Sequence, residues 1–269
     1  MPFAPTGLLT LTTDFGTSDP FVGIMKGRVH GRCPGAAIVD LTHAIPPGRP
    51  DLGGFWLAHA WSEFPPGTVH LAVVDPGVGT QRGVVLAECD GHLLLAPDNG
   101  LLAEALRDGR APAWRIMGRD LPARLGLRLL SRTFHGRDLF APLAGLLAAG
   151  ELEPAGFGPP GAPQDPAPLS PPLTSPGQIR GRVVLADHFG NLITNIAAPL
   201  LHGFHEPRVE AGGQSLSLLG TYADAAPGAP LALVNAFGLV EVAIRDGNAA
   251  VGLGLGPGQT VDIRDGVAA

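Results

Sequence analysis

The chain has 269 residues, a formal net charge of -6 and a hydrophobic content of 45%. Lysine and arginine together number only 18 and form no basic run, which excludes binding through a nucleic-acid backbone. No uninterrupted apolar stretch approaches the roughly 20 residues that a membrane span requires. We therefore expect a soluble protein with no nucleic-acid or membrane partner, large enough to hold two domains.

The start of the chain and its cysteines indicate a cytoplasmic protein. The first five residues, Met-Pro-Phe-Ala-Pro, lack the charged start and the long apolar centre of a secretory signal. Cys33 and Cys89 are too few for a disulfide framework and have no CxxC spacing, so both are predicted to be buried thiols in a reducing compartment. An HExxH motif is absent and the two cysteines form no cluster, so no metal site is predicted. A GxGxxG loop, a Walker loop and a GxSxG elbow are also absent.

Strands and helices are predicted to alternate from residue 8 to about residue 150. The predicted strands are residues 8–12, 36–41, 69–74, 83–89 and 92–96. The predicted helices are residues 20–32, the segment with an apolar face at Leu52, Phe55, Trp56 and His59, residues 101–106, and residues 138–149. Asp90-Gly91 signals a tight hairpin, which adds an antiparallel pair. The alternation predicts a mostly parallel sheet with helices on both faces.

The composition changes after residue 150. Nine prolines fall between residues 151 and 177, a density that predicts an extended linker. Short β-prone runs follow at residues 179–186, 192–196, 231–235, 239–244 and 260–263, and they predict a small all-β domain of sandwich or barrel type. The predicted organisation is an α/β domain over residues 1–150, a linker over 151–177, and a barrel-like β domain over 178–269.

The segment around Asp75 is the first candidate for a site. It reads Val-Val-Asp-Pro-Gly-Val-Gly-Thr-Gln-Arg over residues 73–82 and follows a strand predicted to be buried. Asp75 therefore falls where that strand leaves the sheet, which is where open α/β sheets bind ligands. The proline and the glycines Gly77 and Gly79 predict a shaped loop with a carboxylate at one end and Arg82 at the other. The alternative is an ordinary turn with an exposed Asp–Arg pair.

Other polar residues are ambiguous on their own. Asp14 ends the first strand, where a carboxylate can accept hydrogen bonds from ribose hydroxyls, but an aspartate there can equally cap a turn or helix. His135 precedes a helix and can be a loop residue that only bonds backbone. Asparagine and aspartate near residues 187–195 and 235–248 are usual backbone caps. These residues alone indicate only a two-domain α/β enzyme.

Six motifs together resemble one family, the S-adenosylmethionine hydroxide adenosyltransferases, which are hydrolytic relatives of the fluorinase and chlorinase. In order they are Thr-Thr-Asp-Phe-Gly at 12–16, Val-Asp-Pro-Gly-Val-Gly at 74–79 with Arg82, Pro-Asp-Asn-Gly at 97–100, Phe-His-Gly-Arg-Asp at 134–138, Phe-Gly-Asn at 189–191 with Thr194 and Asn195, and Gly-Asn-Ala-Ala at 247–250. The resemblance covers nearly the whole chain. It implies an α/β domain joined to a small β-barrel, and a homotrimer that binds substrate between neighbouring subunits.

The resemblance also implies a reaction, the hydrolysis of S-adenosylmethionine to adenosine and L-methionine by in-line attack at the ribose 5′ carbon. Methionine leaves a sulfonium as a neutral thioether, so neither a general acid nor a metal is needed, and no cofactor is expected. The difficult step is to position and deprotonate water. The catalytic triad of the family matches Asp75, Arg82 and His135, and which of them is the base stays open.

The implied substrate contacts come from both domains. Asp14 matches the residue that grips the ribose hydroxyls. Asp187, Phe189 and Asn191 match the segment that contacts the methionine and adenine ends, and Phe237 lies where the second domain covers adenine.

This chain departs from many relatives in two places. Ala236 replaces a residue with a side-chain hydroxyl, and Arg245-Asp246 replaces a more neutral pair, which leaves the adenine contacts there open. Two other functions are considered. A halogenase would have Tyr-Pro and small hydroxyl residues in place of Asp75-Pro76-Gly77, and a non-catalytic sensor would bind the nucleoside without turnover.

Overall fold

The computed structural model describes residues 1–107, 112–128, 131–164 and 169–266. The chain divides into two units, Met1–Pro168 and Leu169–Ala269. None of the helices in these described ranges is long and apolar enough to cross a membrane.

The first unit is built on a six-stranded sheet. Its strands are β1 (Leu8–Thr13), β2 (Ala37–Thr42), β3 (Val69–Val73), β4 (Val84–Cys89), β5 (His92–Pro97) and β6 (Ala113–Ile116). Their order is β2-β1-β3-β5-β4-β6. The first four strands in that order are parallel, and β4 pairs antiparallel with both β5 and β6. The mostly parallel sheet predicted from the sequence is confirmed.

Helices cover both faces of this sheet. They are α1 (Phe21–His30), α2 (Pro50–Ala58), α3 (Leu101–Ala105), α4 (Leu121–Arg124), α5 (Ala141–Ala148) and α6 (Pro154–Phe157). Leu9 and Leu11 of β1 face one side and join the core formed with α1 and α5. Thr10, which alternates with them, faces the other side and contacts His70, whose ring lies against Trp61 just after α2.

Three features of the first unit show how well the sequence predicts local structure. The hairpin at Asp90-Gly91 is confirmed, with φ of 51° and 83° at the two turn residues. The helix predicted over residues 138–149 is instead a π-helical turn, Gly136–Phe140, followed by α5. β6 was not predicted, because Ala-Trp-Arg-Ile has neither a long apolar run nor a clear alternation.

The second unit is a β-barrel. Its strands are β7 (Leu173–Ser175), β8 (Gln178–Ala186), β9 (Leu192–Ala197), β10 (Pro207–Ala211), β11 (Gln214–Leu219), β12 (Pro230–Val234), β13 (Leu239–Ile244) and β14 (Thr260–Asp265), and α7 (Ala249–Gly252) precedes the last strand. Because β14 pairs with both β10 and β8, seven strands close on themselves, and β7 adds to β8. Apolar side chains such as Val209, Val240 and Ile263 fill the interior. The predicted barrel-like domain is confirmed.

The proline-rich stretch carries some regular structure. α6 lies within it and buries Phe157 in the core of the first unit. Pro160 forms an isolated bridge with Arg115, and β7 lies near the other end of the stretch. Residues 165–168 of the predicted linker lie outside the described residues.

Candidate active site

Acidic residues gather at one edge of the parallel sheet. Asp14 directly follows β1, and Asp75 follows β3 after one more residue. Asp98 and Asn99 directly follow β5, which pairs with β3. Because β1, β3 and β5 are parallel neighbours, these residues lie along the same carboxyl edge.

Asp75, Arg82 and His135 meet at this edge. Arg82 Nε donates to both oxygens of Asp75, at 2.9 and 2.8 Å, and its Nη2 also contacts Oδ2. The same Nη2 lies 3.3 Å from Nδ1 of His135. The Asp75 and Arg82 side chains are only 5% and 10% exposed, so the alternative of an exposed surface pair is wrong.

The loop between Asp75 and Arg82 is shaped by its own hydrogen bonds. Thr80 Oγ1 donates to the Gly77 carbonyl at 2.7 Å and accepts from the Arg82 amide at 3.3 Å. Gly79 has φ of 78°, and a Cβ there would lie 2.4 Å from the Arg132 carbonyl oxygen, so only glycine fits. Gly77 does not share this constraint, since a Cβ at that position would make ordinary contacts.

The π-helical turn brings two groups to Arg82. His135 immediately precedes the turn, and Phe140 is its last residue. The Arg82 guanidinium carbon lies 5.1 Å from the centre of the Phe140 ring, which adds a cation–π contact to the ion pair. The guanidinium plane is therefore fixed by a carboxylate, an imidazole and an aromatic face.

The electrostatics of the cluster favour a neutral His135. Burial and then the positive charge of Arg82 lower the pKa of His135 from its ordinary value of 6.5, against the opposing charges of Asp75 and Asp138. A neutral imidazole beside a carboxylate can accept a proton from water, while the guanidinium can stabilise developing negative charge. The cluster thus has the parts needed to activate a water molecule.

Asp14 is held separately at the same edge. Its Oδ2 accepts a hydrogen bond from the Gly48 amide at 2.9 Å, and the preceding residue, Thr13, contacts the ring of His43. Asp14 therefore lies just after the end of β1, the strand beside β3, so the candidate site includes two neighbouring strand ends.

The second unit has a cavity of about 820 Å³ that contains three of the predicted site residues. Its lining residues are Asp187, Phe189, Asn191, Tyr222, Ala223, Ile244, Arg245, Asp246, Gly247 and Asn248. Asp187 Oδ1 accepts from the amides of Phe189 and Asn191, both at 2.9 Å, so the carboxylate organises its own turn. The Phe189 ring is 72% exposed and is available for stacking.

Gly190 allows two turns that line this cavity to lie close to each other. Gly190 has φ of 84°, and a Cβ there would lie only 2.2 Å from the Asn248 side chain. Asn248 caps α7 by accepting from the Val251 amide at 2.9 Å. The motifs at 189–191 and 247–250 therefore pack against each other.

Phe237 does not line this cavity. Its ring is 40% exposed, and its amide donates to Asn235 Oδ1 at 3.0 Å. Asn235 in turn donates from Nδ2 to Glu241 at 3.1 Å.

Sequence reasoning missed Tyr222 and Glu241. The Tyr222 hydroxyl donates to the buried Glu241 carboxylate at 2.6 Å. Burial, the hydrogen bond to Glu241 and the negative charges of Glu241 and Asp187 raise the pKa of Tyr222 above its ordinary value of 10.0. Neither residue had a signal, since one is an isolated aromatic and the other lies within an apolar strand.

Arg245, which departs from many relatives, has internal partners. Its Nη1 donates to the carbonyls of Ala223 and Ala225 at 2.9 and 2.6 Å. These bonds fix the segment that carries Tyr222.

One pair of histidines has HxxH spacing, His202 and His205, and both are exposed. Within the described ranges, no group of three or more His, Cys, Asp or Glu residues could hold a metal ion.

A mostly parallel sheet with an aspartate–arginine–histidine triad at its carboxyl edge, linked in the chain to a β-barrel with a cavity, defines a class of two-domain enzymes that act on small molecules. The comparisons identify the family. The family model for the SAM hydroxide adenosyltransferase N-terminal domain matches residues 9–158, and the family model for the C-terminal domain matches residues 181–262. The chain belongs to the SAM hydroxide adenosyltransferase family.

Two relatives illustrate the range of similarity. An (R)-S-adenosyl-L-methionine hydrolase of Thermus thermophilus is 40% identical over 93% of this chain and 96% of its own length. A fluorinase of Actinopolyspora mzabensis is 26% identical over 95% of this chain and 96% of its own length.

A solved structure also shares the fold. An uncharacterized conserved protein from Thermotoga maritima superimposes with a TM-score of 0.85 at 30% identity, covering 95% of this chain and 99% of that protein.

Proposed function

We propose that this chain hydrolyses S-adenosylmethionine to adenosine and L-methionine by attack of water at the ribose 5′ carbon. The observation that carries the proposal is the partly buried Asp75–Arg82–His135 cluster at the carboxyl edge of the sheet. The (R)-S-adenosyl-L-methionine hydrolases, similar to this chain over nearly its full length, give independent support.

In this reaction the leaving group departs easily, whereas the nucleophile, a water molecule, must be activated. The carbon–sulfur bond breaks with both electrons moving to sulfur, which turns the sulfonium into a neutral thioether. Water supplies the new bond to carbon and must lose one proton. Asp75 and His135 are candidates to accept it, and Arg82 stabilises the oxygen as its charge develops.

The substrate-binding roles rest on the family resemblance. Asp14 binds the ribose hydroxyls at the sheet edge. Asp187, Phe189 and Asn191 bind the methionine and adenine ends, for which the exposed Phe189 ring offers a stacking surface. Phe237 covers adenine from outside the cavity described above. The enzyme acts as a cytoplasmic homotrimer without a cofactor.

We further assign the (R) epimer at sulfur as the preferred substrate, following the names of the relatives. The sulfonium carries three different groups and is a stereocentre. Exchanging the methyl and aminocarboxypropyl positions moves the charged end of methionine, so a site that aligns the 5′ carbon for in-line attack distinguishes the two epimers.

A halogenase is the second candidate, because fluorinases are related to this chain. Asp75 argues against it. A fixed carboxylate beside the nucleophile repels a halide ion, whereas it assists a water molecule that must lose a proton.

The proposal is tested by incubating the purified protein with each separated epimer and no added halide. We expect adenosine and methionine in equal amounts, formed faster from the (R) epimer. Adenosine no higher than in a heat-killed control would refute hydrolysis, and faster turnover of the (S) epimer would refute the stereochemical assignment. A 5′-halo-5′-deoxyadenosine product at high chloride or fluoride would instead establish the halogenase.

The homotrimer is tested by light scattering on the active protein. A fully active monomer would contradict a site completed by a neighbouring subunit.

A further inference from the structure

A second chain of polar side chains lies beside the loop that carries Asp14. Thr13 Oγ1 lies 2.8 Å from Nδ1 of His43. Nε2 of His43 lies 3.0 Å from Oδ1 of Asp40, and Oδ2 of Asp40 lies 2.6 Å from the Lys26 ammonium. Thr13 is 0% exposed and His43 is 5% exposed, so the contact between them is shielded from water. None of these four residues has a role in the reaction described above.

Thr13 Oγ1 is bonded to the backbone as well as to His43. The Phe15 amide donates to it at 3.2 Å. The hydroxyl therefore connects the backbone of the loop that carries Asp14 to the His43 ring, and His43 in turn faces Asp40 through Nε2.

Backbone hydrogen bonds join the same two segments on either side of Asp14. The Gly16 amide donates to the His43 carbonyl at 2.8 Å. The Gly48 amide donates to Asp14 Oδ2 at 2.9 Å. Residues 13, 14 and 16 are therefore each bonded to the segment 43–48, and the direction of the Asp14 carboxylate depends on where that segment lies.

We propose that Thr13, His43 and Asp40 are positioning residues, which hold the Asp14 carboxylate in the orientation that binds the ribose hydroxyls of the substrate. A carboxylate that accepts hydrogen bonds from a pair of hydroxyls must be aligned to a fraction of an ångström, which requires support from buried contacts behind it. The proposal rests on the role given to Asp14 in the proposed function.

A purely structural role would give a different result. If the contact between Thr13 and His43 only satisfied buried polar groups, its loss would lower the free energy of unfolding without changing how the site distinguishes ligands. The test must therefore measure recognition of the hydroxyls rather than stability or total activity.

The test compares Thr13→Val, which removes the hydroxyl at nearly constant shape, with Thr13→Ser, which retains it. Calorimetry on the full-length protein gives dissociation constants for adenosine and for 2′,3′-dideoxyadenosine, which lacks both hydroxyls. The ratio of the two constants measures the contribution of the hydroxyls. We expect Thr13→Val to reduce this ratio by about 3- to 10-fold, the value of one net hydrogen bond, and Thr13→Ser to preserve it.

A double-mutant cycle identifies the residue through which the effect passes. In an Asp14→Ala background, Thr13→Val should cause no further change in the ratio. An equal reduction in both backgrounds, or an unchanged ratio in Thr13→Val alone, would overturn the proposal. If Thr13→Val does not fold, Asp40→Asn takes its place, since the Asp40 side chain is 40% exposed and tolerates substitution.

These outcomes separate the proposal from the proposed function. Nucleoside binding needs no turnover, so a protein that binds adenosine without hydrolysing S-adenosylmethionine would refute the function and leave the positioning role standing. If Asp14→Ala alone left the ratio unchanged, Asp14 would not bind the hydroxyls and the positioning role would fall with it.

Discussion

The two units each bury one carboxylate beside a candidate binding region, but they hold it with different partners. In the first unit, Asp75 is paired with the charged guanidinium of Arg82, which also reaches His135. In the second unit, Glu241 is held by two neutral donors, the hydroxyl of Tyr222 and the side-chain amide of Asn235.

The difference separates a chemical role from an architectural one. The Asp75 cluster combines a carboxylate, a cation and an imidazole whose pKa is lowered, which together can take a proton from water and stabilise the resulting charge. Glu241 joins the cavity-lining Tyr222 to the turn that contains Phe237, through Asn235. We therefore expect changes at Asp75 to affect the rate of the chemical step and changes at Glu241 to affect the shape of the second unit.

The largest expected effect is that of Asp75→Asn. The change removes the negative charge at nearly constant shape, so the single-turnover rate should fall by about 10²–10⁴, while the substrate dissociation constant changes far less. Asp120→Asn is a matched control, since Asp120 is 69% exposed and pairs only loosely with Arg124 at 3.6 Å. An intact chemical step with a raised dissociation constant would assign Asp75 to binding instead.

The corresponding substitution in the second unit, Glu241→Ala, should lower the free energy of unfolding. Glu241→Ala leaves Tyr222 and Asn235 without their shared acceptor, and we expect the free energy of unfolding in urea to fall by about 2–3 kcal/mol. Glu210→Ala is the matched control, since Glu210 lies on a strand of the same barrel and its hydrogen-bond partner, Ser215, is exposed. This substitution should change the free energy of unfolding by no more than about 0.5 kcal/mol. The single-turnover rate at saturating substrate should stay within a few-fold of the wild type in both variants. A large loss of that rate in Glu241→Ala would give Glu241 a part in the chemistry.

Tyr222 is the only tyrosine, so its ionisation can be followed directly by ultraviolet absorbance. Because the pKa of Tyr222 is raised, the midpoint of its ionisation in the wild type should lie above pH 10.0. In Glu241→Gln the negative charge is lost, and the midpoint should move down toward 10.0. A group whose pKa is higher in the folded than in the unfolded protein stabilises the fold at pH values below its unfolded pKa. This contribution is lost as the pH rises from the unfolded pKa through the folded pKa. An unchanged midpoint in the variant would show that the charge of Glu241 does not raise the pKa of Tyr222.

Phe189→Ala should have a smaller effect, limited to binding. The exposed ring supports the cavity rather than the barrel core, so its loss should raise the substrate dissociation constant by about 10-fold, within the usual range for stacking of a base on an aromatic ring. Phe189→Tyr keeps the stacking surface and should bind as the wild type does. Equal affinity in all three proteins would remove Phe189 from the binding site.

The smallest expected effect is that of His135 on the pH dependence of kcat/KM. Because the pKa of His135 is lowered from 6.5, its neutral form persists in more acidic solution, and the acid limb of kcat/KM should be centred below pH 6.5. The unfolded chain binds the extra proton first, so the contribution of His135 to stability also decreases as the pH falls below 6.5. An acid limb centred above 6.5 would contradict a neutral His135, and His135→Gln should abolish any limb that His135 causes.

The fold was largely predictable because its signals are local. Buried apolar runs such as that of β3, and the Asp-Gly turn after β4, identify the parallel sheet and its hairpin. β10 and β11 were missed because neither holds an apolar run longer than two residues, although alternation of polar and apolar residues is typical of a strand with one face in water. The π-helical turn has no sequence pattern of its own.

The site was less predictable because its contacts are long-range. The residues alone suggested an Asp75–Arg82 pair but left its burial open. His135 lies 53 positions beyond Arg82 in the chain, and only the family resemblance joined it to that pair. No resemblance or spacing pointed to Glu241, since a glutamate in an apolar strand gives no indication of its partners.

The most direct test of the central claim, that water attacks the 5′ carbon, is to run the reaction in water enriched in heavy oxygen and analyse the products by mass spectrometry. We expect the heavy isotope in adenosine, on the 5′ hydroxyl, and none in methionine. Unlabelled adenosine, or 5′-methylthioadenosine as the nucleoside product, would show that a different bond is broken and would contradict the role given to the Asp75–Arg82–His135 cluster.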